Sequence, residues 1–206
     1  MAEPVHGLSE LLTLVRACRI CTEYPDTKPL PHVPRPVLQA GASARILIAG
    51  QAPGTRVHAT GRPFTDPSGD RLRRWLAMGS NVFYDESRLA ILPMGFCFPG
   101  LDAKGGDRPP RKECAPAWRQ RILSHLTELR LIVTLGLPAA RWHLGLPPGI
   151  SLLDVLAGWQ AHLAKTPPVI VLPHPSWRNN ALLRRAGWIE GEIVPALQGL
   201  VRKALQ

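Results

Sequence analysis

The chain has no run approaching the roughly 20 apolar residues that a membrane span requires. Its opening residues carry no basic segment followed by an apolar core of the export-signal kind. Membrane insertion and export are therefore not expected, and a cytoplasmic location is. Acidic residues are scarce: 15 Asp and Glu stand against 25 Lys and Arg, a net charge of +10. That imbalance favours a polyanionic partner, nucleic acid foremost. Cysteines number only four. In a reducing compartment they are not expected to form structural disulfides, so any clustering points to metal ligation or redox chemistry. Internal repeats and low-complexity tracts are absent, which excludes a repeat architecture.

What is present suffices for one core. With 206 residues, 45% of them hydrophobic, the chain fits a single domain spanning 1–206. A helix is expected over 7–17, delivering its end to Cys18-Arg-Ile-Cys21, so that segment 7–21 would contribute to a metal cluster. The proline-rich stretch 24–36 reads as an irregular loop. Four short apolar, β-branched runs follow at 45–50, 89–93, 131–136 and 169–174, each the length of a buried strand. Between and after them lie helical patterns at 70–78, 115–129, 138–144, 152–157 and 182–186. Alternation of this kind predicts an α/β domain with a central four-stranded parallel sheet flanked by helices. Ligands of such sheets bind beyond the carboxyl ends of the strands. The residues there are the informative ones, whereas 105–111 reads merely as a mobile loop.

Two of those strand ends carry chemistry. The first, Gly50-Gln51-Ala52-Pro53-Gly54, continues to Gly61-Arg62-Pro63-Phe64 and Ser68-Gly69-Asp70. Its glycines permit close approach of a ligand to the backbone, and free amides at a helix start suit an anion. The second is His174-Pro175-Ser176-Trp177-Arg178-Asn179-Asn180. It places an imidazole in the same crevice, on a proline-stiffened turn, with Ser176 and Arg178 in reach of phosphates. The cysteines form Cys18-x2-Cys21, then Cys97, then Cys114 after sixteen residues. Four thiolates bind either zinc or a 4Fe-4S cluster, and spacing does not separate the two.

Together the two loops resemble the paired signature of the uracil-DNA glycosylase superfamily, whose first motif begins G-E/Q-x-P-G and ends G-x-P-F and whose second is H-P-S/A. The resemblance spans Cys18 to about Leu183. It is closest to the iron-sulfur branch called family four, and the HPSxRN form is similar to the single-strand-selective branch. The resemblance implies a uracil-DNA glycosylase, a base-excision repair hydrolase that flips a nucleotide out of DNA, cuts its N-glycosidic bond and leaves an abasic site. It implies a 4Fe-4S cluster, rather than zinc, on Cys18, Cys21, Cys97 and Cys114, bracing loops near the DNA backbone and taking no part in redox chemistry. Phe64 matches the residue that stacks on the flipped base, and His174 the donor to its oxygen. The partner implied is DNA containing uracil or another deaminated base, bound by a monomer. An inactive nucleic-acid-binding relative with the same fold and cluster is the alternative; a zinc-stabilised module unrelated to glycosylases is a further one.

The chain departs from family four at two points. The carboxylates expected in the first loop are replaced by Gln51 and by Thr55-Arg56-Val57-His58. Gln51 can orient a water but cannot accept its proton, so His58, and after it Asp66, are the candidates for activating water. The asparagine expected four residues before the third cysteine is replaced by Pro93. Base recognition then falls to Ala52, Gly54 and Met94, or to side chains such as Asn179 and Ser176, leaving hypoxanthine and xanthine open as substrates. DNA contacts are expected from Ser68, Arg71, Arg73 and Arg74, and from Arg178, Arg184 and Arg185, with Trp177 or Arg178 filling the hole left by the flipped base.

Overall fold

The structure, a computed structural model, describes residues 7–26 and 28–206. Residues 1–6 and Thr27, which the single-domain expectation also spans, lie outside the described residues. The chain opens with α1 (Leu8–Arg16) and the short α2 (Ile20–Glu23). It then enters β1 (Ile46–Ala49), α3 (Thr55–Thr60), α4 (Pro67–Leu76), α5 (Ser80–Phe83) and β2 (Leu89–Ile91). There follow α6 (Cys114–Leu123), β3 (Leu131–Leu135), α7 (Leu137–Leu144), α8 (Leu152–Ala157), α9 (Trp159–His162) and β4 (Val169–Leu172). A 3-10 turn (Trp177–Asn179), α10 (Asn180–Arg185), a π turn (Ile189–Ile193) and α11 (Val194–Leu205) complete it.

The four strands form one parallel sheet in the order β2-β1-β3-β4, with Ile48 paired to Ile91 on one side and to Val133 on the other. Every strand residue is buried, as a sheet covered on both faces requires. The period-two alternation of a strand divides the core. Ile46, Ile48, Val133 and Leu135 pack with Leu72, Trp75, Leu197 and Val201 from α4 and α11. Leu47, Ala90 and Ile132 face the other way onto Leu11, Val15 and Ile122 from α1 and α6. Truncating one of the leucines or isoleucines among these to alanine costs about 2–5 kcal/mol. The chain leaves β1 toward β2 and leaves β3 toward β4, so the loops after β1 and β3 diverge and open a crevice between them.

The sequence expectation misplaces several boundaries. The helix expected over 70–78 begins at Pro67, because Asp66 accepts from the Gly69 amide (3.2 Å) and caps it. The helix expected over 115–129 ends at Leu123, and segment 55–58, read as loop, is helical. The last helix, α11, was not anticipated. Gly191, Pro195 and Gly199 disguise it, although Ile189, Ile193, Leu197 and Val201 recur at four-residue spacing and all are buried.

Candidate active site

The floor of the crevice is set by backbone pairing. The Gly50 carbonyl accepts from the Met94 amide (2.9 Å) and the Gln51 carbonyl from the Gly95 amide (2.8 Å), so the exits of β1 and β2 stay joined beyond the sheet. Gln51 lies against Gly136 at the end of β3. There φ is +86°, and a β-carbon would meet Gln51 Nε2 at 2.6 Å, so glycine alone lets the amide lie in the crevice.

Phe64 sits above this floor in a conformation that phenylalanine rarely adopts, with φ at +53°. Such strain persists only where the surroundings impose it, and here four contacts do. The Phe64 carbonyl accepts from Arg73 Nη1 (3.2 Å) and Tyr84 Oη (3.2 Å), and Tyr84 Oη also reaches the Pro63 carbonyl (3.0 Å). Gly69 leaves room for that carbonyl, which would lie 1.9 Å from any β-carbon there. The Phe64 ring meets Phe83 edge-on at 6.0 Å. Arg73, expected to grip DNA, is instead this brace; its side chain is only 15% exposed and pairs with Asp70.

His174 follows β4 and is half-buried. The Ser176 amide donates to its Nδ1 (3.3 Å), so in the neutral ring Nε2 carries the proton. Desolvation holds the imidazole below its ordinary value of 6.5, with Asp66 and Asp107 pulling upward and Arg178 downward. The ring is therefore neutral at pH 7, a donor without a charge. Asn179 Nδ2 donates to the His174 carbonyl (2.7 Å), and Arg71 Nη1 to the Ser176 carbonyl (3.3 Å), tying the turn to α4.

These loops enclose one open cavity of about 900 Å³. It brings together Gln51, Ala52, Gly54, Phe64, Asp66, Ser68, Arg71, His174, Ser176, Trp177, Arg178 and Asn179. Of the residues expected in catalysis or base recognition, two stand elsewhere. His58 is not part of the lining; its ring packs against His32 (4.4 Å) and Phe98 (5.8 Å), which removes it from water activation. Met94 is not part of the lining: it is buried among Ala49, Ala115 and Ala139, and its amide is taken by Gly50, so neither its side chain nor its N–H is available to a base. Ser68 lines the cavity but is buried, its hydroxyl donated to Asp66 (2.7 Å), which is poorly suited to a phosphate contact. The sequence reading also missed residues. Asp107 enters the lining from the loop dismissed as merely mobile, and Tyr84 braces the Phe64 turn. A lone acid in a loop otherwise rich in Gly and basic residues was the available signal for Asp107.

Residues 38–198 match the Uracil DNA glycosylase superfamily. The chain belongs to that superfamily. Among solved structures it is similar to a solution NMR structure from Methanosarcina acetivorans, named provisionally as a uracil DNA glycosylase. That likeness has 16% identity and a TM-score of 0.44, over 80% of this chain and 97% of the other.

This superfamily member has a second cavity, also lined in part by the loop that follows β2. Cys18, Cys21, Cys97 and Cys114 all line it, with Phe96, Arg111 and Trp118. Among the described residues, no three His, Cys, Asp or Glu side chains stand as a ready-made ligand set for a metal ion, although all four cysteines line this one cavity. The donor set suits a thiolate-bound group. The Phe96 amide donates to Cys114 Sγ and the Trp118 indole to Cys18 Sγ, both at 3.2 Å, the N–H···S contacts that tune ligand sulfurs. Burial pushes Cys97 and Cys114 up to about 12, so a bound cation would displace their protons.

Arg119 completes the fit. Fully buried, it donates to the Leu92 and Pro93 carbonyls and to His143 Nε2 (2.7 Å), yet among the described residues no carboxylate meets it and its Nε has no partner. Burial lowers its value to about 10, opposed by Cys114. A buried cation without a counter-charge is costly. Four thiolates around a metal group would supply negative charge beside it.

Proposed function

We propose that the protein excises uracil, and other deaminated bases, from DNA by hydrolysing the N-glycosidic bond of a nucleotide flipped into the cavity. The observation that carries this reading is the convergence of His174 and Phe64, 110 residues apart, on one cavity. A flipped base stacks on the Phe64 ring. As the bond breaks, negative charge grows on the base oxygen, and a neutral His174 donating from Nε2 stabilises it without first losing a proton. The Ala52 amide, which meets no acceptor among the described residues, offers a second donor. A cavity of about 900 Å³ leaves room for hypoxanthine or xanthine beside uracil.

Arg71, Arg74 and Arg178 on the cavity rim supply phosphate contacts, and Trp177, 74% exposed at the mouth, is the wedge for the vacated stack. The four cysteines hold a 4Fe-4S cluster, which would clip the α1–α2 segment, the loop after β2 and the start of α6 together. When bound it supplies structure, not electron transfer.

The test is incubation of the purified protein with oligonucleotides carrying one uracil, hypoxanthine or xanthine, followed by alkali to break abasic sites. Strand scission at the uracil is expected; intact strands with all three bases, despite DNA binding, would leave the inactive relative as the better reading.

A further inference from the structure

Hydrolysis needs a group that takes a proton from the attacking water, and the first loop provides none. Gln51 cannot accept a proton. Asp66 has both oxygens engaged, one by the Gly69 amide that it caps and the other by Ser68 Oγ. Asp70 is paired with Arg73 on an exposed face. One lining carboxylate remains, on the loop between β2 and α6.

Resting on the glycosylase reading, we propose that Asp107 is the carboxylate that activates the hydrolytic water. Its Oδ2 lies 3.7 Å from the point where a β-carbon on Gly54 would stand, so it reaches across the cavity to the motif from which the acid is missing. The loop presenting it is held by an antiparallel bridge between Leu101 and Asp107 and by the Arg108 amide on the Gly100 carbonyl (3.0 Å). Its side-chain partner among the described residues is Arg178 Nη1 at 3.5 Å, with both groups about half exposed. An ion pair so exposed is weak, and a DNA phosphate arriving at Arg178 releases the carboxylate at the moment the substrate is seated. Asp107 and His174 line the same cavity, one from the loop after β2 and the other from the loop after β4.

The step balances. The water oxygen bonds to C1′ of the sugar while the C1′–N bond breaks, and its electron pair leaves with the base, stabilised by the His174 N–H. The water proton passes to Asp107 and from there to solvent or to the departing base. A C1′ hydroxyl on the abasic sugar and the free base result.

Three variants decide the matter: Asp107→Asn, Asp107→Glu and Asp107→Ser, each with single-turnover excision at saturating enzyme and with affinity for uncleavable DNA carrying a 2′-fluoro uracil nucleotide. Asp107→Asn is expected to slow excision about a hundredfold or more with little change in affinity, and Asp107→Glu to recover part of the rate. The exposed position makes folding of all three straightforward to verify by melting. A rate within about threefold of the parent for Asp107→Asn, or a deficit that vanishes at saturating enzyme, overturns the assignment while excision by the parent stands. An inert parent overturns the glycosylase reading and this inference together.

Discussion

Two cavities flank the loop after β2, and they are built to opposite rules. The one lined by His174 and Phe64 is wide and open, with polar and apolar groups side by side, its walls drawn from loops that follow β1, β2 and β4. The one lined by the cysteines is closed in by Phe96, Trp118 and prolines, and three of its four thiols are buried. A place through which substrate passes needs exposed groups and an entrance; a place for a permanent occupant needs neither. Loss of a side chain should therefore cost rate in the first and stability in the second.

The largest effect expected is on the first side. His174→Ala should lower single-turnover excision about a hundredfold or more while the melting temperature stays nearly unchanged; unfolding of that variant would erase the distinction. Next, Cys114→Ser should remove visible absorbance and bound iron and cost at least about 3 kcal/mol in denaturant unfolding. Full stability with no metal would show that the cysteine cavity needs no occupant, and a zinc content with no colour would name a different one.

Acid sharpens the contrast further. Burial, and then Arg119, hold His143 down to about 3, below its ordinary 6.5. The folded state thus binds fewer protons than the unfolded one, so this contribution is full above about 6.5 and is lost as pH falls from there toward 3. Melting should drop by on the order of 5 °C across the upper part of that window, and His143→Gln, which keeps an acceptor for Arg119, should flatten the dependence. The smallest effect belongs to Tyr84→Phe, which removes the hydroxyl from the Pro63 and Phe64 carbonyls. A loss of about 1 kcal/mol in stability with a several-fold slower excision is expected, since Arg73 still holds the Phe64 carbonyl.

The sequence carries the sheet well because its strands are buried on both faces and read as unbroken apolar runs, Ile46–Ala49 among them. The two loops are readable for a different reason: glycines and prolines at fixed offsets leave few backbone paths, and His174 and Phe64 follow from them. Residues whose meaning depends on a partner distant in the chain are not readable in this way. Asp66 looks like a free acid until Gly69 and Ser68 take its oxygens. Arg73 looks like one more surface cation until its guanidinium is seen under the Phe64 carbonyl. Arg119 sits in a charged helical stretch with nothing to mark it as fully buried, and Asp107 lies 53 residues beyond the glycine it faces.

The left-handed backbone at Phe64 also decides which side of the encounter does the moving. With its carbonyl held from two directions and its ring set edge-on against Phe83, the Phe64 turn is anchored to α4 and α5 from below. On the glycosylase reading, the nucleotide would then make the approach, and selectivity along that path would fall to the exposed Trp177 and Arg178 at the rim, before the ring is touched.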